Sequence, residues 1–468
     1  MHEQFPFQVF SIFQKRQVCR LVSLQIQKSS FAQHRDLIRS LRAEDFKQAS
    51  NEEGEGKKIS NEGVRVLRQH LRAVRGKVIG TDENRLSMRS KVWSTIVVFN
   101  PPSLWITINP SDQDPIAQVF AGEEIDLDQF CATAGPESEQ RARNMASDPY
   151  AVAKFFHFLI NTLLEVVFGI KKGRTGISRR PGAFGTVQAY IGTVEAQGRG
   201  TLHLHMLLWL KDAPTGSVMQ AALKDDCFRL RIAEYIKSTI RADIDNKSTD
   251  DILRIQKRPA ISYSRPVDPI LHEKESAEEE KLIARCVQFH KCNTSTCLRM
   301  VNGRLECKRR APFAVSSTDW VNEAGEWGPK RMCPNLNNWN PWLMRTIRAN
   351  HDIKLIMNGG ETCVLVLYTT NYTFKKQNRS TNASALIADR LAFQQKTQVD
   401  GDDIQTRNKH LLQRCATALF TEREFSGPEV ISYLMGWGDR FESHTYVPIY
   451  LDSAMRALKR VFSAPAQQ

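Results

Sequence analysis

Apolar side chains recur along this chain at helical and at strand spacings, and these spacings predict its elements. Residues 1–45 form a predicted basic helical segment, because apolar residues recur there at Phe7, Phe10, Phe13, Val18 and Leu21. Residues 46–62 are polar and glycine-containing, which predicts a linker. Helical spacing resumes over residues 64–74, and residues 93–100 are rich in β-branched side chains. The amino-terminal part is therefore predicted to be mainly helical.

Strand patterns begin further along the chain. Residues 104–110 predict a strand that a proline ends. Ser147-Asp148-Pro149 is a helix start signal, and the helix behind it is predicted to end near Gly169. Residues 216–245 have a helical pattern, residues 353–357 have a strand pattern, and the chain after residue 376 is mainly helical in pattern. Helices and strands are thus mixed along the sequence.

The most informative pattern is a pair of histidines in an apolar run. Residues 186–197 and 202–210 are predicted strands, and Gly198-Arg199-Gly200 suits a short hairpin between them. Alternate residues of a strand share a face. His203 and His205 therefore lie on one face, and the other face carries the residues that anchor the strand in a core, Leu202, Leu204, Met206 and Leu208.

A hairpin centred on Arg199 places Glu195 across from His203 on the same face. Two histidines and one carboxylate with open coordination positions suit Mg²⁺ or Mn²⁺ acting on a phosphodiester. A register slip of one residue would turn Glu195 away, and Gln197 is the reserve candidate. The alternative is a pair of histidines on a solvated strand face.

A second constellation is a pair of tyrosines followed by lysines. On a helix, Tyr368 and Tyr372 share a face, with Lys375 and Lys376 one turn further. A tyrosine phenolate can attack phosphorus and hold a DNA end, and a nearby lysine can lower the phenol pKa or neutralise the phosphate. The segment is also rich in β-branched residues, which favours a strand and a structural role for the pair.

A cluster of zinc-type ligands lies in the second half of the chain. His290, Cys292, Cys297 and Cys307 fall within a short stretch with polar turn residues between them. This spacing predicts a structural Zn²⁺ knuckle, and the alternative is free thiols in a loop. Ten cysteines in a long chain without an export signal favour a reducing compartment.

The composition points to a polyanionic partner. The chain has 468 residues, of which 41% are hydrophobic and 25% charged, so a sizeable core is expected. Its net charge is +14, and no apolar run is long enough to span a membrane, which favours nucleic acid over a membrane. Candidate contacts with the DNA backbone are the basic residues of two short stretches, Lys171, Lys172, Arg174, Arg179, Arg180, Lys308, Arg309 and Arg310.

These elements predict an α+β protein with a central antiparallel sheet that carries the histidine strand, flanked by helices and a small zinc knuckle. The predicted regions are a basic helical amino-terminal region (1–90), a first part of the core that carries the histidine strand (91–245), a charged linker with the zinc knuckle (246–345), the tyrosine part of the core (346–400) and a helical carboxy-terminal region (401–468).

Several segments in order resemble the amino-terminal replication-initiator region of Helitron transposases, of the type found in fungal genomes. Trp-Ile-Thr-Ile-Asn-Pro-Ser-Asp at residues 105–112 resembles the first motif, residues 199–205 the metal motif, and residues 368–376 the tyrosine motif. Residues 350–354 and 425–440 resemble further segments of the family. The resemblance extends over about residues 1–450.

The resemblance implies a two-tyrosine endonuclease with a histidine-hydrophobic-histidine motif (HUH). Such proteins nick single-stranded or unpaired DNA, become joined through tyrosine to the 5′ phosphate and leave a free 3′ hydroxyl. His203 and His205 would be the metal ligands, and Tyr368 and Tyr372 the nucleophiles, of a protein that acts in the nucleus.

The sequence departs from complete transposases in lacking the Gly-x4-Gly-Lys-Ser/Thr loop of a helicase, so unwinding would need a helicase encoded elsewhere or in a missing carboxy-terminal part. Two other functions fit the same residues. One is a catalytically silent DNA-binding remnant of a transposon that zinc stabilises. The other is a metal phosphodiesterase in which water attacks and the tyrosines are structural.

Overall fold

The computed structural model describes most of the chain in segments, with the single positions 117, 126 and 128 between them. The described segments are residues 4–111, 138–173, 176–197, 200–214, 216–257, 266–294, 297–357, 382–396, 404–419, 423–449 and 451–462.

Eleven strands are present in the described residues. They are β1 (Leu104–Ile108), β2 (Ile170–Gly173), β3 (Gly176–Arg179), β4 (Val187–Ala196), β5 (Leu202–Leu210), β6 (Leu298–Val301), β7 (Arg304–Cys307), β8 (Trp320–Val321), β9 (Trp327–Gly328), β10 (His351–Leu355) and β11 (Arg440–Glu442).

Helices make up most of the remaining regular structure. They are α1 (Phe5–Ile26), α2 (Ser29–Ala32), α3 (Arg35–Arg39), α4 (Ala43–Gly54), α5 (Glu62–Arg75), α6 (Asp82–Leu86), α7 (Met88–Phe99), α8 (Ser138–Ser147), α9 (Pro149–Val166), α10 (Gly216–Ala222), α11 (Asp226–Thr239), α12 (Thr249–Arg254), α13 (Glu273–Val287), α14 (Pro341–Ile347), α15 (Ala383–Lys396), α16 (Ile404–Ala418), α17 (Gly427–Leu434) and α18 (Leu451–Phe462).

The centre of the fold is a five-stranded antiparallel sheet with the order β10-β1-β5-β4-β11. The hairpin of β4 and β5 therefore lies inside the sheet, and both edges come from later parts of the chain. This arrangement confirms the predicted α+β class with an antiparallel sheet flanked by helices.

Both faces of the sheet are covered. On one face Leu204, Met206 and Leu208 of β5 pack with Phe156 and Ile160 of α9 in the largest core cluster. On the other face the apolar contacts are made by α7 with β1, β4 and β5, through Met88, Val92, Trp105, Ala189, Ile191, Leu207 and Trp209. The predicted anchoring face of the histidine strand is confirmed, since Leu202, Leu204, Met206 and Leu208 are all buried in the first cluster.

A separate helical core joins the two ends of the sequence. Side chains of α1 to α5, including Phe46 and Leu67, pack against Leu391 of α15 and Leu412 of α16. The side chain of Asn382 donates a hydrogen bond to the backbone carbonyl of Ser50 at this junction, with a distance of 2.7 Å. Burial of apolar surface between distant segments is the main force that holds them together.

Helix α17 packs against α1, and the strand that follows it joins the central sheet. The ring of Tyr433 stacks on that of Phe10 with centroids 5.4 Å apart, and Val430 is fully buried beside them. Strand β11 follows and pairs with β4, where the backbone N–H of Val194 donates to the carbonyl of Asp439 at 2.8 Å. The last third of the chain thus completes the sheet.

Several local predictions can be compared directly with the structure. The strand at residues 104–108 and the helix that Asp148 begins are confirmed, and the backbone N–H of Ala151 donates to the Asp148 carboxylate at 3.0 Å. The prediction of a linker over residues 46–62 is wrong for most of that stretch. Helix α4 extends to Gly54 because Phe46 and Ala49 are fully buried against the helical core. The basic stretch near residue 175 contains the hairpin of β2 and β3.

Candidate functional site

The predicted hairpin register places a carboxylate opposite the first histidine. Strands β4 and β5 pair so that Glu195 is across from His203, as the sequence predicted, and Thr193 is across from His205. On its other side β5 pairs with β1, where Thr107 is across from His205. Residues directly opposite each other share a face of the sheet. These side chains therefore gather on the face opposite the α9 core.

Three side chains converge there on a space of metal-ion size. The Oε2 atom of Glu195 lies 3.7 Å from Nε2 of His203 and 3.5 Å from Nε2 of His205. The ligand atoms of the three residues all lie within 4.8 Å of one another. Donor atoms that surround a divalent ion at about 2.0–2.2 Å are roughly 3–3.6 Å apart, so only a small adjustment would close this cluster around an ion.

The electrostatics of the cluster favour the forms that bind metals. Burial, helped by the neighbouring His205, lowers the pKa of His203 to about 4, so its imidazole is neutral at neutral pH. Burial opposes the ionisation of Glu195, but the two imidazoles and the guanidinium of Arg85 outweigh it and hold the pKa of the carboxyl below its ordinary value. Neutral imidazole and ionised carboxylate are the ligand forms of these groups.

A buried carboxylate oxygen also indicates that Glu195, His203 and His205 could bind a metal ion. The Oε2 atom of Glu195 is buried and has no hydrogen-bond partner among the described residues. A buried carboxylate oxygen without a hydrogen bond is costly unless a cation neutralises it. A divalent ion held by Glu195, His203 and His205 would remove that cost.

One hydroxyl orients the second histidine. The Oγ1 atom of Thr107 lies 2.9 Å from Nδ1 of His205, while Nε2 of the same ring faces Glu195. Metal-ligating histidines commonly hydrogen-bond through the nitrogen that does not bind the metal, and this bond fixes the ring and its tautomer. With Nδ1–H donating to Thr107, Nε2 is the ring nitrogen that would bind a metal.

A buried network of charged residues supports the strand that carries Glu195. The guanidinium of Arg85 donates to the backbone carbonyl of Val194 at 3.1 Å, and its other nitrogen lies 3.7 Å from the Glu429 carboxylate. Tyr433 donates its hydroxyl proton to Asp439 at 3.1 Å. The network links α6, α17 and the start of β11 to the residue next to Glu195.

A second candidate metal cluster lies at the base of the hairpin of β6 and β7. The ligand atoms of His290, Cys292, Cys297 and Cys307 all lie within 4.8 Å of one another. Nε2 of His290 is 3.2 Å from Sγ of Cys307 and 3.5 Å from Sγ of Cys292. A set of one imidazole and three thiol groups matches the ligands of closed four-coordinate sites.

Backbone amides point at two of these sulfur atoms. The N–H of Asn293 donates to Sγ of Cys297 at 3.2 Å, and the N–H of Arg309 donates to Sγ of Cys307 at 3.3 Å. Burial opposes thiolate formation at Cys307, but the backbone N–H groups of Ala311 and Arg309 outweigh it and lower the pKa of that thiol. The cluster could therefore hold a metal that binds thiolate.

The predicted DNA contacts are placed on two exposed hairpin surfaces. Lys171, Lys172, Arg179 and Arg180 are exposed on and beside β2 and β3, and Lys171 pairs with Glu165 at 2.7 Å. The second set is exposed directly after β7, namely Lys308, Arg309 and Arg310. Arg174 lies outside the described residues.

The predicted nucleophiles fall in a stretch without described structure. Tyr368, Tyr372, Lys375 and Lys376 all lie outside the described residues, which stop at residue 357 and resume at residue 382. The structure therefore brings together the three metal-ligand candidates at the hairpin and, separately, the four at the second cluster.

Sequence reasoning missed two residues that support the first cluster. Thr107 belongs to the segment that carries the resemblance in the first motif, and its alternation with buried Ile106 and Ile108 could have placed it on the histidine face. Arg85 carries no local signal, because its partners Val194 and Glu429 are far away in sequence.

Comparison with known protein families gives a match over the first part of the chain. Residues 1–208 match the family model described as Helitron helicase-like domain at N-terminus. The matched range includes Glu195, His203 and His205 and ends inside β5. No curated protein matches the chain. Among the described residues, none of the helices has both the length and the apolar character needed to cross a membrane.

Proposed function

We propose, from the match of residues 1–208 to the family model of the Helitron helicase-like amino-terminal domain, that the protein is a metal-dependent endonuclease and strand transferase for single-stranded DNA. The observation that carries the proposal is the cluster of Glu195, His203 and His205 inside the matched range. The family is consistent with a transposase-related role, and the cluster supplies a reason to expect chemistry on a phosphodiester.

We assign Mg²⁺ or Mn²⁺ to this cluster. Both ions accept carboxylate oxygen and leave open positions for water and substrate oxygens. When bound, such an ion polarises a phosphoryl oxygen and orients the scissile phosphodiester. His203 and His205 would each give one nitrogen and Glu195 one oxygen, while Thr107 holds the ring of His205 in the binding tautomer.

The attacking groups in this proposal are Tyr368 and Tyr372, which the Helitron resemblance supports. The phenolate oxygen bonds to phosphorus and the bond from phosphorus to the 3′ oxygen breaks. The phenol loses its proton to solvent, and the leaving 3′ oxygen gains one, so the products are a 5′ phosphotyrosine and a free 3′ hydroxyl. Lys375 and Lys376 would neutralise charge on the phosphate.

We propose that the second cluster binds Zn²⁺ and that the role of this ion is structural. Thiolates favour zinc over magnesium or manganese, and four protein ligands leave no position for a substrate. The hairpin of β6 and β7 has little apolar core of its own apart from the cysteines and a few neighbours. A bound ion would therefore hold this small module in shape.

Several observations support DNA as the partner. The net charge of +14 favours a polyanion, and the basic residues of both candidate contact sets other than Arg174 are exposed. The complete transposases that this chain resembles carry a helicase that unwinds DNA. We propose that a helicase acts with this chain in the nucleus.

The test is formation of a covalent adduct. Labelled single-stranded DNA is incubated with the zinc-loaded chain and Mn²⁺, and protein–DNA adducts are separated on a denaturing gel. We expect an adduct that Tyr368→Phe or Tyr372→Phe weakens and that the double variant abolishes. Tyr150→Phe is the matched control, because Tyr150 is a surface tyrosine of α9 and should leave the adduct unchanged.

The other two functions give different results in the same experiment. Cleavage without an adduct, lost in His203→Ala, would favour the metal phosphodiesterase that uses water. DNA binding without cleavage, even with Mn²⁺ in excess, would favour a silent DNA-binding remnant. Either result would refute the phosphotyrosine mechanism.

A further inference from the structure

The hairpin of β6 and β7 carries two apolar side chains at its outer end. Met300 and Leu305 pair directly across the two strands, so they lie side by side on one face. Their exposed fractions are 64% and 60%. Leu298 and Cys307 share that face closer to the base, where Cys307 is a member of the second metal cluster and Leu298 packs against it. The face is therefore buried at the base and exposed at the tip.

The tip is held in a fixed shape. Asn302 and Gly303 both have positive φ, at 49° and 79°, as a two-residue turn of the primed type requires. At the base, the backbone N–H of Lys308 donates to the carbonyl of Cys297 at 2.8 Å, and the side chains of Cys297 and Cys307 are buried. Met300 and Leu305 therefore lie between a tight turn and the buried base of a short hairpin.

The surroundings of this pair are strongly basic. From residue 297 to residue 310 the chain has one acidic residue, Glu306, and five basic ones, Arg299, Arg304, Lys308, Arg309 and Arg310. All five basic side chains are exposed, and none forms an ion pair with another described residue. Because side chains alternate along a strand, Arg299 and Arg304 lie on the face opposite Met300 and Leu305, and the other three basic residues follow β7. The hairpin therefore joins a small apolar ridge to exposed positive charge, which is complementary to the flat faces of the bases and the charged phosphates of DNA.

We propose that this hairpin tip is a wedge that inserts Met300 and Leu305 at an unpaired or junction step of DNA. Proteins that open or kink DNA insert such apolar side chains between bases while arginine and lysine hold the neighbouring phosphates. The inference rests on DNA being the partner in the proposed function, but it does not require that the protein cleave DNA.

The test measures base unstacking without any cleavage. A duplex with a single-stranded branch carries 2-aminopurine at the junction, and its fluorescence rises when the base unstacks. We expect the wild-type chain to raise it and the double variant Met300→Ser/Leu305→Ser to give little rise. Loss of contact by two apolar side chains should weaken binding to the branched DNA by on the order of ten-fold.

Two further variants separate the apolar from the basic contribution. Val447→Ser/Ile449→Ser is the matched control, because these two residues are 81% and 77% exposed and lie outside the hairpin. It should bind and unstack like the wild-type chain. Arg299→Ala/Arg304→Ala should weaken binding to branched and unbranched DNA alike and reduce the dependence on salt.

Other outcomes would overturn the wedge. The wedge would be refuted if the double variant Met300→Ser/Leu305→Ser unstacked the junction base as much as the wild-type chain does. It would also be refuted if the double variant differed from the wild-type chain only in self-association or in binding to anionic lipid vesicles. Failure of the adduct experiment with unstacking intact would reject the nicking mechanism and keep the wedge. The two proposals can therefore fail separately.

Discussion

Replacing Thr107 by valine tests whether the hydroxyl beside His205 prepares the first cluster for a metal. Thr107→Val keeps the shape of the side chain and removes only the hydrogen bond of 2.9 Å to Nδ1 of His205. The ring of His205 is 7% exposed, so water has little access to Nδ1 once the hydroxyl is gone. The ring should then be less well fixed in the tautomer that presents Nε2 to a metal.

The size of the effect can be worked out in two ways. Leaving a buried polar atom unpaired costs about 1–3 kcal/mol. Loss of a second-shell partner weakens metal affinity by about 10–100-fold, which corresponds to about 1.4–2.8 kcal/mol. Thr107 itself is half-buried, so some water can replace the hydroxyl. We therefore expect about ten-fold weaker binding of Mn²⁺ by Thr107→Val, at the lower end of that range.

The assay is calorimetric titration of the zinc-loaded chain with Mn²⁺. Thr107→Ser keeps a hydroxyl and should bind nearly as the wild type does. Thr193→Val is the matched control, because Thr193 is across from His205 on the other neighbouring strand and its buried hydroxyl has no hydrogen-bond partner among the described residues. Unchanged affinity in Thr107→Val, together with a large loss in Glu195→Gln, would refute the orienting role.

Three further predictions concern the second cluster, the helical core and pH. Cys307→Ser should contain less zinc than the wild-type chain by elemental analysis and should melt at a lower temperature. Cys286 lies outside the cluster, so Cys286→Ser should keep its zinc. Equal zinc content in the two variants would contradict the assignment. Phe46→Ala should lower the free energy of unfolding by about 3–5 kcal/mol in urea denaturation, because Phe46 is fully buried in the helical core. Burial lowers the pKa of His157 to about 4, so the unfolded chain binds a proton below pH 6.5 that the folded chain does not, and stability falls between pH 6.5 and pH 4. At pH 5 this proton uptake lowers the free energy of unfolding by about 2 kcal/mol. The variant His157→Gln should therefore show a correspondingly smaller difference in unfolding free energy between pH 7.5 and pH 5. An unchanged pH dependence would show that His157 is not the group responsible.

The hairpin that carries the first cluster could be predicted because its signals are local. Alternation assigned the faces of β5, and the short turn fixed the register that sets Glu195 opposite His203. The four ligands of the second cluster could also be found, since they are close in sequence. Each of these features depends only on residues that are near one another along the chain.

Features that depend on distant segments could not be predicted in the same way. Helix α4 has only two buried residues in a polar stretch, and its burial depends on α15, which is far away in sequence. Strand β11 has three residues and is a strand only because β4 offers an unpaired edge. Arg85 acquires its role from partners on β4 and α17. Such tertiary contacts override local propensity.

The strand order has a consequence for synthesis of the protein on the ribosome. The three inner strands have all been made when residue 210 is added, but the two edge strands are added only at residues 351–355 and 440–442. At typical rates of translation, β4 waits roughly 10–50 s for β11. During that time the nascent sheet presents unpaired strand edges, which promote pairing with other chains. A chain cut after residue 208 would keep those edges permanently, so the range that matches the Helitron family is expected to aggregate when it is produced alone.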